Sequence, residues 1–527
     1  MKKITTLLLC LIIVGCSSRP TSVIDNISIP SQDVQSYLTP DSIPPIQSYN
    51  GPSPSPPIPY TGEYIKIGNQ EIPINIENLD LTTSGGDWGY DTTKDQLKEI
   101  PPEIGKLKNL KHLKISQNAI KTLPPEIGQL QNLETLSLYY NPEFETLPAE
   151  IGNLKKLKNL DLFGTKIRSL PLEIGNLTNL QQIDLSNTKI ISLPSTLNKL
   201  KNLKQLNITG IPIQAISSDL SYLFSNAEII LSSNQISALD NLIGAITDLT
   251  IMPSETPIRN LAGFTNLRRL NLSNSGLISL PENISNLKKL EILNLSYSKL
   301  KTLPVSIGSL NNLQELFLNN NNLVELPNEI TNLKNLKKLD ISGNVKFKNL
   351  PNNIGKLNNL TEVNIEATEI KTLPVSFGSL NNLRKFTIAS ESFEEIPTEF
   401  ENLSNLKELF IGGKNIKEFK FDIGKLTNLT SLSILTSITQ IPDSIGQLTK
   451  LESFEIINTK ISRIPETIGN LISLKKLKIN DNRSLSRFPA EAMCRLKNIT
   501  YIEMLAQIEI NSPDHKILKT CFPTGMF

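Results

Sequence analysis

The sequence predicts an elongated α/β-type repeat solenoid, with short parallel strands on the concave face and irregular, 3-10 or helical segments on the convex face. Three observations predict it. The apolar spacing LxxLxLxxN recurs with a period of about 23 residues: Leu110, Leu113, Ile115 and Asn118, then Leu133, Leu136, Leu138 and Asn141, then Leu157, Leu160, Leu162 and Thr165. A second signature, Leu-Pro-x-x-Ile-Gly, falls between these stretches, as at Leu123 to Gly128, Leu303 to Gly308 and Leu350 to Gly355. The register then persists through Leu180, Leu203, Leu267 and onward to Leu474.

Each position has a physical reason. Alternating leucines of LxxLxL point inward from one strand while the residues between them face solvent. At the ninth position the chain turns away, and a side chain able to bond free backbone groups is favoured. Asn118, Asn141, Asn234, Asn321, Asn344 and Asn482 fill it, with Thr165, Thr188, Thr368, Thr459, Ser275, Ser298 and Ser437 as weaker substitutes. Leu-Pro, Ile and the next Leu line the return path, where proline restricts the backbone. No repeat buries its apolar face alone, so the 527 residues do not divide into the three or four globular domains that length alone would suggest. At about 4.8 Å per strand, about eighteen repeats give a sheet roughly 85 Å long. Insertions at Pro142-Glu143-Phe144 and Val345-Lys346-Phe347 lengthen a turn by one residue. Between 215 and 260 the spacing shortens and the Leu-Pro signature is lost, as expected for a change in curvature or a junction between duplicated halves.

These residues resemble the leucine-rich repeat family in its LPxxIGxLxxL form, over roughly residues 76 to 507. The resemblance implies a horseshoe that binds ligands, mostly proteins, on its concave sheet.

The N-terminus predicts export. Met1-Lys2-Lys3 precedes an apolar stretch from Ile4 to Val14, too short to span a bilayer. Ile13-Val14-Gly15-Cys16 followed by Ser17-Ser18 resembles the lipobox of bacterial lipoproteins, in preference to an ordinary signal peptide with an incidental cysteine. That resemblance implies cleavage after residue 15, diacylglycerol and palmitate-type chains at Cys16, and anchoring in the cell envelope. Ser17 favours the outer membrane, with the solenoid either surface-exposed or facing the periplasm. The expected organisation is a signal peptide over 1–15, a Pro/Ser-rich tether over 16–62, an N-terminal cap with a first degenerate repeat over 63–109, the solenoid over 110–507, and a C-terminal cap over 508–527. Dense proline keeps the tether extended. The single tryptophan, Trp88, is expected to cover the first repeat's core. Cys494 and Cys521 bracket the last repeat, where a disulfide would staple the cap; the alternative is two unpaired thiols.

Composition narrows function. With 53 Lys+Arg against 51 Asp+Glu the net charge is +2, which offers no case for nucleic acid. Two histidines, His112 and His515, leave little for a catalytic triad or metal site, and no HExxH, GxSxG, P-loop or CxxC occurs. No catalysis, cofactor or small-molecule substrate is expected. Aromatic and apolar residues at solvent-facing strand positions are the candidate ligand contacts: Tyr139, Tyr140 and Phe163 in adjacent repeats, Phe317 alone, and Phe410, Leu435 and Ile457 in successive ones. Basic residues from Lys111 to Lys475 recur at one position but are interrupted by Glu134, Glu291 and Glu452, as a solubilising row would be. The reading is a lipid-anchored module for a protein ligand, against an envelope spacer without a specific ligand.

Overall fold

The computed structural model describes residues 62–83, 96–254, 258, 260–503 and 513–522. Within them, nineteen strands from Asn78–Asp80 to Tyr501–Glu503 form one parallel sheet in chain order. Each strand pairs with its neighbours in sequence, and the first and last do not pair with each other, so the sheet is open. The register aligns equivalent leucines: Leu79 opposes Leu113, Leu113 opposes Leu136 and Leu136 opposes Leu160. Those side chains, with the Ile or Leu two residues on, are buried throughout the described repeats.

The return path is a single 3-10 turn, as at Pro125–Gln129, Leu172–Asn176 and Val305–Ser309. The proline before it holds an extended backbone, φ −69 and ψ 151 at Pro124, and thereby ends the preceding segment. Where the pair is Ile-Gly, packing against the next turn leaves the glycine no room for a side chain, although Asn198, Ser285, Thr331 and Glu401 fill the equivalent position in other repeats. A Cβ on Gly128 would lie 2.6 Å from the Glu150 carbonyl of the next turn, and one on Gly175 2.5 Å from that of Thr196.

The ninth-position asparagines link repeats. Asn344 Nδ2 donates to Leu318 O at 3.0 Å in the preceding repeat and to Ile341 O at 2.8 Å in its own, while its Oδ1 accepts Leu323 N–H at 3.0 Å. Asn321 repeats the pattern with Leu295, Leu318 and Leu300. Threonine is the weaker substitute: Thr165 and Thr188 each reach only a carbonyl of their own repeat. Two assignments need correction. Asn234 is exposed, and Gln235 is the buried residue that donates to Ile208 O at 2.7 Å, because the chain there turns directly into a 3-10 segment one residue out of phase. Likewise Thr436 is buried in place of Ser437, because that strand runs on to Thr436. A second asparagine ladder on the return side went unread: Asn132, Asn335 and Asn405 each donate to a carbonyl 24 residues earlier, at 2.8 Å.

Both one-residue insertions seat a phenylalanine, Phe144 or Phe347, fully in the core. Through the irregular segment the sheet is unbroken, Leu206 opposing Ile229 and Ile229 opposing Leu249, while a short helix, Ser221–Asn226, joins the return path.

The N-terminal end carries a β-hairpin, Tyr64–Ile67 with Gln70–Pro73, turning at Gly68 with φ +56. Its Ile65, Ile67 and Ile72 are buried and join the core of the first repeats. At the other end the helix Pro513–Cys521 buries Leu518, with Phe522 just beyond it, and Cys521 is disulfide-bonded to Cys494, the Cα atoms 5.4 Å apart. Cys16, the signal, most of the tether and Trp88 lie outside the described residues.

Candidate ligand-binding face

Most residues between the inward leucines are polar and engaged with the adjacent repeat. Lys111 pairs with Glu77 at 2.9 Å, Lys158 with Glu134 at 2.6 Å, Arg268 with Glu291 at 3.0 Å and Lys475 with Glu452 at 2.8 Å. The acids that interrupt the basic row therefore neutralise their neighbours in it. Such exposed pairs add little stability, but they leave little unbalanced charge there.

Against that surface the aromatic candidates in the second and third full repeats come together. The rings of Tyr139 and Phe163 stack at 5.0 Å, 12° from parallel, and Tyr140 lies 5.6 Å from Tyr139 and 6.1 Å from Phe163. Tyr139 and Phe163 are half-buried, while Tyr140 is 55% exposed. Tyr140 also adopts φ +58. At the equivalent turn most other repeats use Asn187, Asn274, Asn320 or Asn458, or glycine at Gly164, Gly210 and Gly343, with Gln117, Ala367 or Asp481 in others. Asparagine and glycine tolerate the left-handed region, whereas a bulky side chain there costs about 1–2 kcal/mol. Tyr297, at φ +55 and 51% exposed, does the same and escaped the sequence reading.

Carboxylates lie in the strand beneath the stack. Asp161 and Asp184 are opposed on adjacent strands. Burial, and next among the raising effects the charge of Asp184, push the Asp161 carboxyl up to about 6, although Phe163 N–H at 3.0 Å and the Ser137 hydroxyl at 2.9 Å both donate to it. Burial likewise raises Asp184, against hydrogen bonds from Ser186 and Asn207.

A groove of about 230 Å³ opens farther along the same face. Phe410 and Leu435 line it, as do Tyr297, Gly343, Ala367, Ala389 and Gly412. Phe317 and Ile457 are half-buried on the same face, Ile457 next to Asn458, which lines the groove. The groove forms where the strands change. Lys385–Ala389, Glu408–Gly413 and Ser431–Thr436 run for five or six residues where most earlier strands have three, and Ser390, Gly413 and Thr436 make no left-handed turn. The signal in the sequence is the loss of the ninth-position Asn, replaced by Glu391, Lys414 and Ser437. Two further carboxylates line the groove. Glu391 pairs with Lys414 at 3.0 Å, while burial and then the charge of Asp340 raise the Glu366 carboxyl. Among the described residues, no group of three or more His, Cys, Asp or Glu is placed to hold a metal ion.

A family comparison agrees with this architecture. A model described as a leucine-rich repeat region matches residues 91–164, 149–252, 245–346 and 339–437. Among solved structures, a leucine-rich-repeat protein of Leptospira interrogans is 27% identical, with 85% of this chain and 95% of that one covered at a TM-score of 0.46. An internalin from Listeria monocytogenes is 22% identical, over 68% of this chain and 89% of its own, at 0.36. The ectodomain of a plant membrane receptor kinase from Arabidopsis thaliana, in complex with Casparian strip integrity factor 2, is 20% identical, over 76% and 59%, at 0.39. No curated protein matches. With overlapping matches that run without a gap from 91 to 437, well over half of its length, the chain belongs to the leucine-rich repeat family.

Proposed function

We propose that this protein is an exported, lipid-anchored module of the bacterial envelope that recognises a protein ligand with the sheet face of its solenoid. The observation that carries the reading is the stacked, partly exposed set Tyr139, Tyr140 and Phe163 on a face that is otherwise polar and ion-paired. Clustered aromatics bury much area at low entropic cost, and a tyrosine retained in a left-handed turn that asparagine fills more cheaply points to a use outside folding. Lipid at Cys16 would hold the module on a membrane, since two acyl chains give stable anchoring where one does not. The Ser17 that follows supports the outer membrane.

The test replaces Tyr139, Tyr140 and Phe163 together with serine in the full chain, then measures capture of envelope or host proteins alongside the thermal melt. Lost capture with an unchanged melt supports the reading. Capture retained by this variant, combined with a phenotype that follows only the number of repeats, would support the alternative of an envelope spacer. Cys16→Ala should release the protein from membranes. Protease treatment of intact cells, compared with permeabilised ones, separates a surface-exposed solenoid from a periplasmic one.

A further inference from the structure

We infer that the groove in the C-terminal half of the sheet binds an extended polypeptide segment carrying a basic residue beside an apolar one. This deepens the reading of the sheet face as a protein-binding surface and rests on it. From Tyr297 to Asn458 the groove crosses eight successive strands. At roughly 4.8 Å per strand that is about 34 Å, the length of about ten extended residues. Its floor is Gly343, Ala367, Ala389 and Gly412, where a main chain approaches closely because side chains are small or absent. Tyr297 at one end and Phe410 with Leu435 toward the other supply apolar walls that take a side chain out of water.

Charge selects the occupant. Of the ionisable groups lining the groove, Glu391 and Lys414 satisfy each other. Glu366 has no cation within ion-pair distance among the described residues, and neither has Asp340 behind it; the nearby Lys385 is engaged by Glu408 at 3.2 Å. A guanidinium or ammonium arriving on the peptide would supply the missing charge-assisted bond to Glu366. An acidic segment would instead meet Glu366, which holds only a neutral partner in Asn364, with Asp340 hydrogen-bonded to Ser342 behind it.

The experiment uses the full chain in detergent and fluorescein-labelled decapeptides that place an apolar residue next to Arg at each register, with matched peptides carrying Glu in place of Arg. Fluorescence anisotropy should show binding of the Arg set and at least about tenfold weaker binding of the Glu set. Ala389→Trp, which fills the floor, should abolish binding; Leu435→Gln, a milder change to a wall, should weaken it several-fold. Glu366→Gln should erase the preference for Arg over Glu, and the Tyr139, Tyr140 and Phe163 serine variant should bind the peptides as the native chain does. Equal binding of both sets, binding of neither, or unchanged binding by Ala389→Trp overturns the proposal. If it is overturned while the serine variant still loses its captured protein, the groove alone has failed and the sheet-face reading stands.

Discussion

Asp161→Asn is expected to stabilise the solenoid at neutral pH, and to do so less as the pH falls. The Asp161 carboxyl is pushed up to about 6 in the folded chain, chiefly by burial and then by Asp184. Its unfolded value is close to 3.9, so the difference of about two units corresponds to at most about 3 kcal/mol against folding once both states are ionised. The sign follows from proton uptake. Between the two values the folded state holds more protons than the unfolded state, so this carboxylate makes stability fall as pH rises through that window. Above about pH 7 the full penalty is present, and near pH 4.5 about 1 kcal/mol of it remains. Asparagine removes the charge without losing the local geometry. Asn207, Asn271 and Asn294 occupy the equivalent strand position, and each accepts the N–H of the residue two ahead, as Asp161 does from Phe163. The assay is urea unfolding of both chains at about pH 7.5 and 4.5, with hydrogen exchange at Asn159–Asp161 to localise the effect. A variant less stable than the native chain at the higher pH, or a difference that ignores pH, would refute the reasoning.

Three further outcomes follow from the packing. Asn344→Ala strands the Leu318 and Ile341 carbonyls and the Leu323 N–H in the core, at a cost of about 3 kcal/mol; denaturant curves should split into two transitions as the halves of the array uncouple, and a single unshifted transition would contradict this. Cys494→Ser removes a cross-link spanning a separation of 27 residues, which a loop-entropy estimate puts at about 3.5 kcal/mol, and limited proteolysis should then cut first within the C-terminal cap. Gly128→Ala forces a Cβ to within 2.6 Å of the Glu150 carbonyl, so adjacent turns must separate, and a melting temperature within a degree of the native value would show that they have slack.

The sheet, its strand register and the core were legible because each repeat writes them again in the same leucines, and the ninth-position asparagines announced a backbone-bonding role that Asn118, Asn141 and Asn344 perform. Phase errors arose where the repeat changes length. Pattern alignment put Asn234 and Ser437 in the ladder, but Gln235 and Thr436 are the buried residues, since burial depends on where the strand ends. The terminal hairpin was missed because Ile65, Ile67 and Ile72 belong to no repeat and follow a two-residue alternation of their own. Tyr139, Tyr140 and Phe163 were readable as side chains that break a polar pattern. The groove was harder to see, since it is made by what is missing: side chains at Gly343 and Gly412, and left-handed turns at Ser390, Gly413 and Thr436.

The same packing decides where a function can sit. Inward leucines are buried by both neighbours, the Ile-Gly turns leave no room for a methyl group, and each ladder asparagine holds two repeats together, so a change at any of these is felt through the stack before it alters a surface. Outward strand positions carry no such constraint and by default are filled cheaply with Asn, Ser, Lys or Glu, while the left-handed turn is filled most cheaply by Asn or Gly. Gln117 holds the same turn at φ +58 outside both sites, so strain alone does not mark a site; Tyr140 and Tyr297 at positive φ, and Ala367 at φ +50, stand out because they also lie in one. Tyr297 and Ala367 both line the groove and Tyr140 belongs to the aromatic stack. Replacing Ala367 with glycine separates the two demands: the fold should gain up to about 1 kcal/mol from the relieved turn, while peptide binding changes only if the methyl group itself touches the ligand.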